Sequence, residues 1–293
     1  MKLIKQSFEF INQTDFSLIG IKKHIERCAR VSYKSEDKIT DTSYEKFVNM
    51  LESRGHDRPL EFGTVYLTLR GDDTNALRNI FTYTENPWTK IRKQVIKAEY
   101  DPNTHVVLNY VTTNYRVIVE NHLEEDLKYL CEPTEYHYKR YTAHMVLDRG
   151  VMDEFRTHVG LSHLAESTRY CNYSKDKFDN EITFIKPCWL DDEKLKLYGP
   201  YHTVIRDKSP ESIFIANLNN AERDYLDLIK LGWTPQQARS ILPLGIKSEL
   251  ISCGFEDAWK NFFYRRDAPD AHPMAQEIAK PMHQKFIELT KIE

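Results

Sequence analysis

The chain has 293 residues and a formal net charge of −3, with acidic and basic residues mixed along its length. This length allows one large domain or two small ones, and the mixed charge indicates neither a nucleic-acid groove nor a membrane-binding face. No apolar run approaches the roughly 20 residues of a membrane span, and the polar start MKLIKQSFEF is too short for a signal peptide. We therefore expect a soluble, cytoplasmic protein.

The first third of the chain predicts two helices and a strand. Apolar residues at near-helical spacing predict a helix over residues 16–33, with Asp15 as its candidate N-cap. A second, shorter helix is expected over 42–51, closed near Gly55. After a loop punctuated by glycine and proline, the alternation of residues 64–69 predicts a strand.

Residues 71–142 are less regular than the rest of the chain. They contain a polar turn, two apolar runs at 106–111 and 115–119, and an acidic segment at 124–129 that predicts a short helix. We interpret this part as a β-rich elaboration, partly a β-hairpin, inserted before an apolar strand at 143–147.

The C-terminal half alternates strands and helices. Strands are predicted at 182–185 and 246–251, and helices at 209–231, from Thr234-Pro235 onwards, at 255–263 and at 273–288. There is no repeat, low-complexity segment or Gly/Ser linker. The predicted fold is thus a single α+β domain over residues 1–293, with a central mixed or antiparallel sheet flanked by helices.

Neither the cysteines nor the histidines are spaced as metal ligands. The five cysteines are scattered without a CxxC pair, which is typical of reduced, mostly buried thiols: Cys28, Cys131, Cys171, Cys188 and Cys253. His158 and His163 are five residues apart, whereas two ligands on one helix face are four apart. We predict no metal site.

The stretch 148–174, DRGVMDEFRTHVGLSHLAESTRYCNYS, follows the predicted strand at 143–147. Polar residues at the end of a strand are a common place for chemistry. The stretch has no GxSxG elbow for a nucleophilic serine, and the chain has neither a GxGxxG nor a P-loop motif.

Three arginines on separated segments are candidates for an anion site: Arg169, Arg239 and Arg266. The planar guanidinium fork binds phosphate and carbonyl oxygens in pairs, so three that converge would suit a planar, anionic substrate such as a nucleotide. Ser167, beside Arg169, could donate to the same phosphate. Taken singly, each arginine is also compatible with an ordinary solvated helix position.

The segment ESTRYCNYS at 166–174 resembles the flavin-dependent thymidylate synthases. Further segments resemble motifs of that family in the same order along the chain: RCARVSYKS at 27–35, GHDRPLEF at 55–62, DRGV at 148–151, TPQQARSILPL at 234–244, and NFFYRR at 261–266 followed by His272. The resemblance covers most of the chain and makes residues 71–142 an insertion in a long member of the family.

The resemblance implies synthesis of dTMP from dUMP with methylene-tetrahydrofolate, FAD and NADPH, in a homotetramer whose sites combine several subunits. It implies no protein nucleophile, because flavin and folate carry the chemistry. Ser167 and Arg266 would be the catalytic residues, with Arg266 stabilising negative charge as C5 of the uracil becomes nucleophilic. The implied dUMP-binding residues are Glu154, Glu166, Ser167, Arg169, Arg239 and Arg266. The implied flavin-binding residues are Ser32, His56, Arg58, Glu61, His158, Asn261 and His272.

Two departures from the family pattern fall on the flavin half of the site. An ungapped alignment places Thr157, His158 and Val159 at the family's Arg-His-Arg triplet, and use of Arg156 instead would need an insertion. The family's Asn-x-Arg appears as Phe-Glu-Asp at 255–257, where the carboxylate would repel a diphosphate. Each lost guanidinium removes donors worth about 1.5–3 kcal/mol.

We therefore expect weak FAD binding unless the 71–142 segment provides substitutes. Two alternatives stay open: a related enzyme acting at C5 of a pyrimidine nucleotide with another product or cofactor use, and a non-catalytic nucleotide-binding paralogue.

Overall fold

The structure is a computed structural model that describes residues 1–97, 104–169, 171–175, 178–196 and 209–292. The strands are β1 Lys2–Ile4, β2 Ser7–Phe10, β3 Thr64–Arg70, β4 Lys90–Lys97, β5 His105–Asn114, β6 Arg140–Asp148, β7 Leu161–Ala165, β8 Thr183–Ile185 and β9 Lys247–Phe255. The helices are α1 Leu18–Tyr33, α2 Ser43–Ser53, α3 Ile80–Glu85, α4 Tyr115–Glu120, α5 Arg149–Phe155, α6 Asp192–Lys196, α7 Pro210–Lys230, α8 Pro235–Ala238, α9 Glu256–Arg266 and α10 Pro273–Ile292. The 3₁₀ segments include Arg58–Phe62, Glu124–Tyr129 and Arg239–Ile241.

The main sheet has the strand order β2-β6-β9-β7, and every pairing in it is antiparallel, as the α+β prediction allowed. The apolar run at 143–147 forms most of β6, whose alternate residues Ala143, Met145 and Leu147 are completely buried. They pack with aromatic residues of α9 and α10, among them Trp259 and Phe286, into the largest core cluster. This core fixes β6 and β9, and so fixes the edge strand β7 beside them.

The second sheet, β3-β5-β4, contains the hairpin expected within residues 71–142. The hairpin consists of β4 and β5, while the second apolar run forms the helix α4. Asn114 explains the change, because its side chain accepts a hydrogen bond from the backbone N–H of Val117 at 3.1 Å and so begins a helix. Whether this segment is an insertion relative to the family stays a prediction.

The cap of α1 differs from the prediction. Ser17 is the N-cap, with its side-chain oxygen accepting from the N–H of Gly20 at 3.1 Å, whereas the carboxylate of Asp15 accepts from the N–H of Ser17 at 2.9 Å. Asp15 therefore holds the cap residue rather than the helix itself. Later helix starts agree with the sequence: Ser209 caps α7, and Thr234 forms a capping box with Gln237 at α8.

The edge strand β7 was not predicted from the sequence, yet it positions most of the site. It pairs with β9 from Leu161 opposite Gly254 to Ala165 opposite Leu250. The chain leaves its end directly into Glu166 and Ser167.

All five cysteines carry free thiols, and Cys28, Cys171 and Cys253 are buried, as predicted. Across the described ranges, no helix is both long and apolar enough to cross a membrane.

Candidate functional site

A cleft of about 370 Å³ opens beside the end of β7 and is lined by five arginines: Arg58, Arg149, Arg156, Arg169 and Arg239. We call it the arginine cleft. Ser32, Glu166 and Ser167 also line it. The structure thus brings together six residues that the sequence placed in one site: Ser32, Arg58, Glu166, Ser167, Arg169 and Arg239. The roles assigned to them stay predictions.

Short polar contacts position the groups of the arginine cleft. Arg239 donates from Nη1 to Oγ1 of Thr168 at 3.1 Å, and Arg169 donates from Nε to Oε1 of Gln236 at 3.3 Å. The N–H of Ser167 donates to the carbonyl of Ser32 at 3.3 Å, which joins the last turn of α1 to the end of β7. Several guanidinium groups are therefore held around one small space, a suitable environment for a phosphate.

Among the described residues, Glu166 is the carboxylate that lines the arginine cleft, and it is neutralised within the chain. Glu166 is 2% exposed, and its Oε2 accepts from Nζ of Lys247 at 2.9 Å while its Oε1 accepts from the thiol of Cys171 at 3.3 Å. Burial alone would lower the pKa of Lys247, but Glu166 and Glu249 together raise it, so the lysine stays charged. Glu166 therefore does not offset the charge of the cleft arginines. Two of them, Arg149 and Arg156, lie 3.6 and 3.5 Å from the carboxylate of Asp153.

A second cleft of about 410 Å³ shares Arg58, Arg156 and His163 with the arginine cleft, so the two adjoin. We call it the Trp88 cleft. Its other lining residues include the Thr157, His158 and Val159 triplet together with Glu61, Trp88, Arg116 and Ser162. Glu61 is 4% exposed, and its Oε1 accepts a hydrogen bond from Nη1 of Arg116 at 2.6 Å.

Arg266 lies in a third cleft, of about 830 Å³, with Glu154 and His272. Its guanidinium donates to Oε2 and to the carbonyl of Glu154 at 2.8 Å each, to Oγ1 of Thr157 at 3.2 Å and to Nε2 of His158 at 2.7 Å. Burial and the charge of Arg266 lower the pKa of His158 to about 4, so this histidine is a neutral acceptor at neutral pH. The Arg266 orientation is thereby fixed.

One chain does not bring all the predicted residues into a single site. Ser167 and Arg266, the predicted catalytic pair, line different clefts. His56 and Asn261 are exposed and line none of the three clefts.

Sequence reasoning did not place Arg149, Trp88 or Arg116 at the site, and it rejected Arg156 because its use would need an insertion in the alignment. Arg149 is the first residue of α5, directly after β6, a position that could have been weighed, and Arg156 follows the end of α5. The other two belong to the 71–142 segment, whose contacts are long-range and leave no local signal. Within the residues that the structure describes, no cluster of three or more histidine, cysteine or acidic side chains is placed to hold a metal ion.

A sequence profile described as "Thymidylate synthase complementing protein" matches residues 132–290, more than half of the chain. The chain belongs to this family. These proteins are the flavin-dependent thymidylate synthases, so the family predicted from the motifs is confirmed. The matched region contains α5, β7, α8 and α9, and with them most of the arginine cleft and Arg266.

Two solved structures of the UMP/dUMP methylase PolB from Streptomyces cacaoi, bound with 5-Br dUMP and with 5-Br UMP, are distant structural neighbours of this family member. Each is 16% identical to this chain, with a TM-score of 0.42. Each match covers 99% of this chain, and it covers 93% of the 5-Br dUMP structure and 92% of the 5-Br UMP structure. Similarity at that level is too remote to bear on substrate or mechanism. No protein of curated function matches the chain.

Proposed function

We propose that this chain methylates C5 of dUMP to give dTMP in the cytoplasm. Methylene-tetrahydrofolate would provide the carbon, NADPH the reducing equivalents, and FAD the redox chemistry between them. The observation that carries the proposal is the arginine cleft, in a chain whose family modifies C5 of a pyrimidine nucleotide.

The arginine cleft supports recognition of a phosphate monoester. Five guanidiniums line it, and Glu166, the carboxylate among its described lining residues, is already paired with Lys247. Hydrogen bonds from a guanidinium to an anionic oxygen contribute about 1.5–3 kcal/mol each, and the paired fork fixes the orientation of the phosphate. Arg239, steadied by Thr168, and the hydroxyl of Ser167 are the donors we assign to the phosphate.

Arg266 is assigned to the pyrimidine. Its four hydrogen bonds to Glu154, Thr157 and His158 hold a fixed positive charge in place before any substrate arrives. Such preorganised charge stabilises an electron-rich ring more than a mobile charge does. Because Arg266 and Ser167 line different clefts, we infer that two subunits of a homotetramer complete each site.

The donor set between the clefts fits FAD. Arg58 and Arg156 lie on the wall shared by the arginine and Trp88 clefts, and guanidiniums suit a diphosphate. Ser32 and Ser162 each have a buried hydroxyl without a hydrogen-bond partner among the described residues, and an unmet buried hydroxyl is costly. These four residues would hold the cofactor, and His56, Asn261 and His272 would contribute from another subunit.

Binding of dUMP and of deoxyuridine to the purified protein tests the phosphate assignment. We expect dUMP to bind much more tightly than deoxyuridine, and Arg239→Ala to weaken dUMP at least about tenfold while leaving deoxyuridine unchanged. Arg223→Ala is the matched control, because Arg223 is exposed on α7 and pairs with Asp224. Equal affinities for the two ligands in the wild-type chain would refute the assignment.

A non-catalytic nucleotide-binding role is the second candidate, and one observation favours it. Val159, at a position where the family has an arginine, is 90% exposed and offers a cofactor no donor. A protein that binds dUMP, takes up no FAD and makes no dTMP would support this role over the enzyme.

A further inference from the structure

The 71–142 segment supplies two residues to the cleft that lacks the signature arginines. Trp88 shortly precedes β4 and Arg116 lies on α4, and both line the Trp88 cleft beside Thr157, His158 and Val159. Trp88 is half-buried, so part of its indole borders the open volume. A tryptophan in such a position offers a face on which a planar ring can stack.

Arg116 neutralises Glu61, one of two acidic residues that line the same cleft. The other, Asp153, lies 3.5 Å from Nη1 of Arg156. Nη1 of Arg116 lies 2.6 Å from Oε1 of Glu61, and its Nη2 lies 2.6 Å from the carboxylate of Glu120. Without Arg116, the charge of Glu61 would compete with an anionic ligand for Arg58 and Arg156. Arg116 therefore acts on ligand charge through Glu61 and does not need to touch the ligand.

The 71–142 segment also neutralises a second acidic residue, Asp257. Asp257, at the position of another family arginine, pairs with Lys90 of β4 at 2.6 Å. Burial alone would raise the pKa of Asp257, but the hydrogen bond and charge of Lys90 lower it overall. Glu61 in the Trp88 cleft and Asp257 outside it are thus each offset by a cation of the 71–142 segment.

An independent observation indicates a ligand in the Trp88 cleft. Ser162 lines it on β7 and is only 3% exposed, yet its Oγ has no hydrogen-bond partner among the described residues. Buried hydroxyls are normally satisfied, so this one is a hydrogen-bonding group that a ligand in the cleft would satisfy.

We propose that Trp88 and Arg116 complete the flavin site of this chain. Trp88 stacks on one ring system of the flavin cofactor, and Arg116 cancels the charge of Glu61 so that Arg58 and Arg156 serve the diphosphate. The inference rests on the proposed function, since it takes FAD as the cofactor.

Titration of FAD and of riboflavin, followed by quenching of flavin fluorescence, tests these roles. Trp88→Ala should weaken FAD about tenfold, while Trp88→Phe should keep most of the affinity. Arg116→Gln should weaken FAD but leave riboflavin unchanged, because riboflavin has no phosphate. The double variant Glu61→Gln/Arg116→Gln should regain FAD affinity, because the uncompensated charge is gone. Trp233→Ala is the control, since Trp233 is exposed and lies outside these clefts.

The outcomes separate this inference from the proposed function. Wild-type FAD affinity in both Trp88→Ala and Arg116→Gln would overturn the inference and leave the proposed function standing. A wild-type chain that binds dUMP but no FAD would overturn the inference together with the proposed use of flavin. Parallel loss of dUMP binding in Trp88→Ala and Trp88→Phe would also contradict it, because the effect would then be on the fold.

Discussion

Buried histidines make the stability of this chain depend on pH. Burial lowers the pKa of His24 to about 3 and the pKa of His158 and His163 to about 4, from an ordinary value of 6.5, and it also lowers the pKa of His137. As the pH falls below 6.5, these histidines become protonated in the unfolded chain before they do in the folded chain. The folded state therefore loses stability from about pH 6.5 down to about pH 4.

We therefore expect the free energy of unfolding in urea to fall steadily between pH 6.5 and pH 4.5, with at most about 1.4 kcal/mol per pH unit from each histidine. Carboxylates titrate mainly below this window. His163→Gln should make the dependence of the free energy of unfolding on pH shallower, because one of the four histidines is removed. A free energy of unfolding that is constant across the window would contradict the burial of these side chains.

Two arginines of the arginine cleft were accessible from the sequence, but the contacts of Arg266 were not. Arg169 and Arg239 stand beside recognisable motifs, and both line the arginine cleft. The hydrogen bonds of Arg266 join α9 to the end of α5, more than a hundred residues earlier in the chain. Side-chain pairing at that separation depends on the tertiary fold, which no local pattern encodes.

At the scale of elements, the close contact of β7 with β9 sets the arginine cleft. A Cβ added at Gly254 of β9 would lie 2.8 Å from the carbonyl oxygen of Gly160 and 2.6 Å from Cδ2 of Leu161. Since one contact is with backbone, β7 must move to relieve it. By contrast, a Cβ added at Gly245, just before β9, would have no atom within 4 Å.

Gly254→Ala should therefore destabilise the chain by about 1–3 kcal/mol and also weaken dUMP binding, because the end of β7 carries Glu166 and Ser167. Gly245→Ala, the matched control, should leave both nearly unchanged. Urea denaturation and dUMP titration measure the two effects. Unaltered dUMP affinity in Gly254→Ala would show that β7 does not set the position of the cleft.

Long or strongly patterned elements were predictable, and short ones were not. The apolar run at 143–147 predicted β6, which extends further, over Arg140–Asp148, and the capped periodicity of α7 gave that helix nearly at its observed bounds. The five residues of β7 contain two polar side chains and no turn signal that marks a strand. The apolar run of α4 is as compatible with a strand as with a helix, and the cap at Asn114 decided the outcome.

At the scale of the whole molecule, the separation of Ser167 from Arg266 predicts sites shared between subunits. Arg239→Ala and Arg266→Ala chains should each be inactive alone, but mixed oligomers should recover part of the activity. Recovery occurs because some sites then receive an intact Arg239 from one subunit and an intact Arg266 from another. No recovery after exchange of subunits, checked with differently tagged chains, would mean that each chain builds its own site.

Formation of dTMP tests the central claim most directly. The purified chain is incubated with dUMP, methylene-tetrahydrofolate, FAD and NADPH, and the nucleotides are identified by mass spectrometry. We predict a product heavier than dUMP by one methylene group, absent when folate or FAD is omitted and strongly reduced in Arg239→Ala. Unchanged dUMP in a protein that demonstrably binds both dUMP and FAD would contradict the proposed methylation.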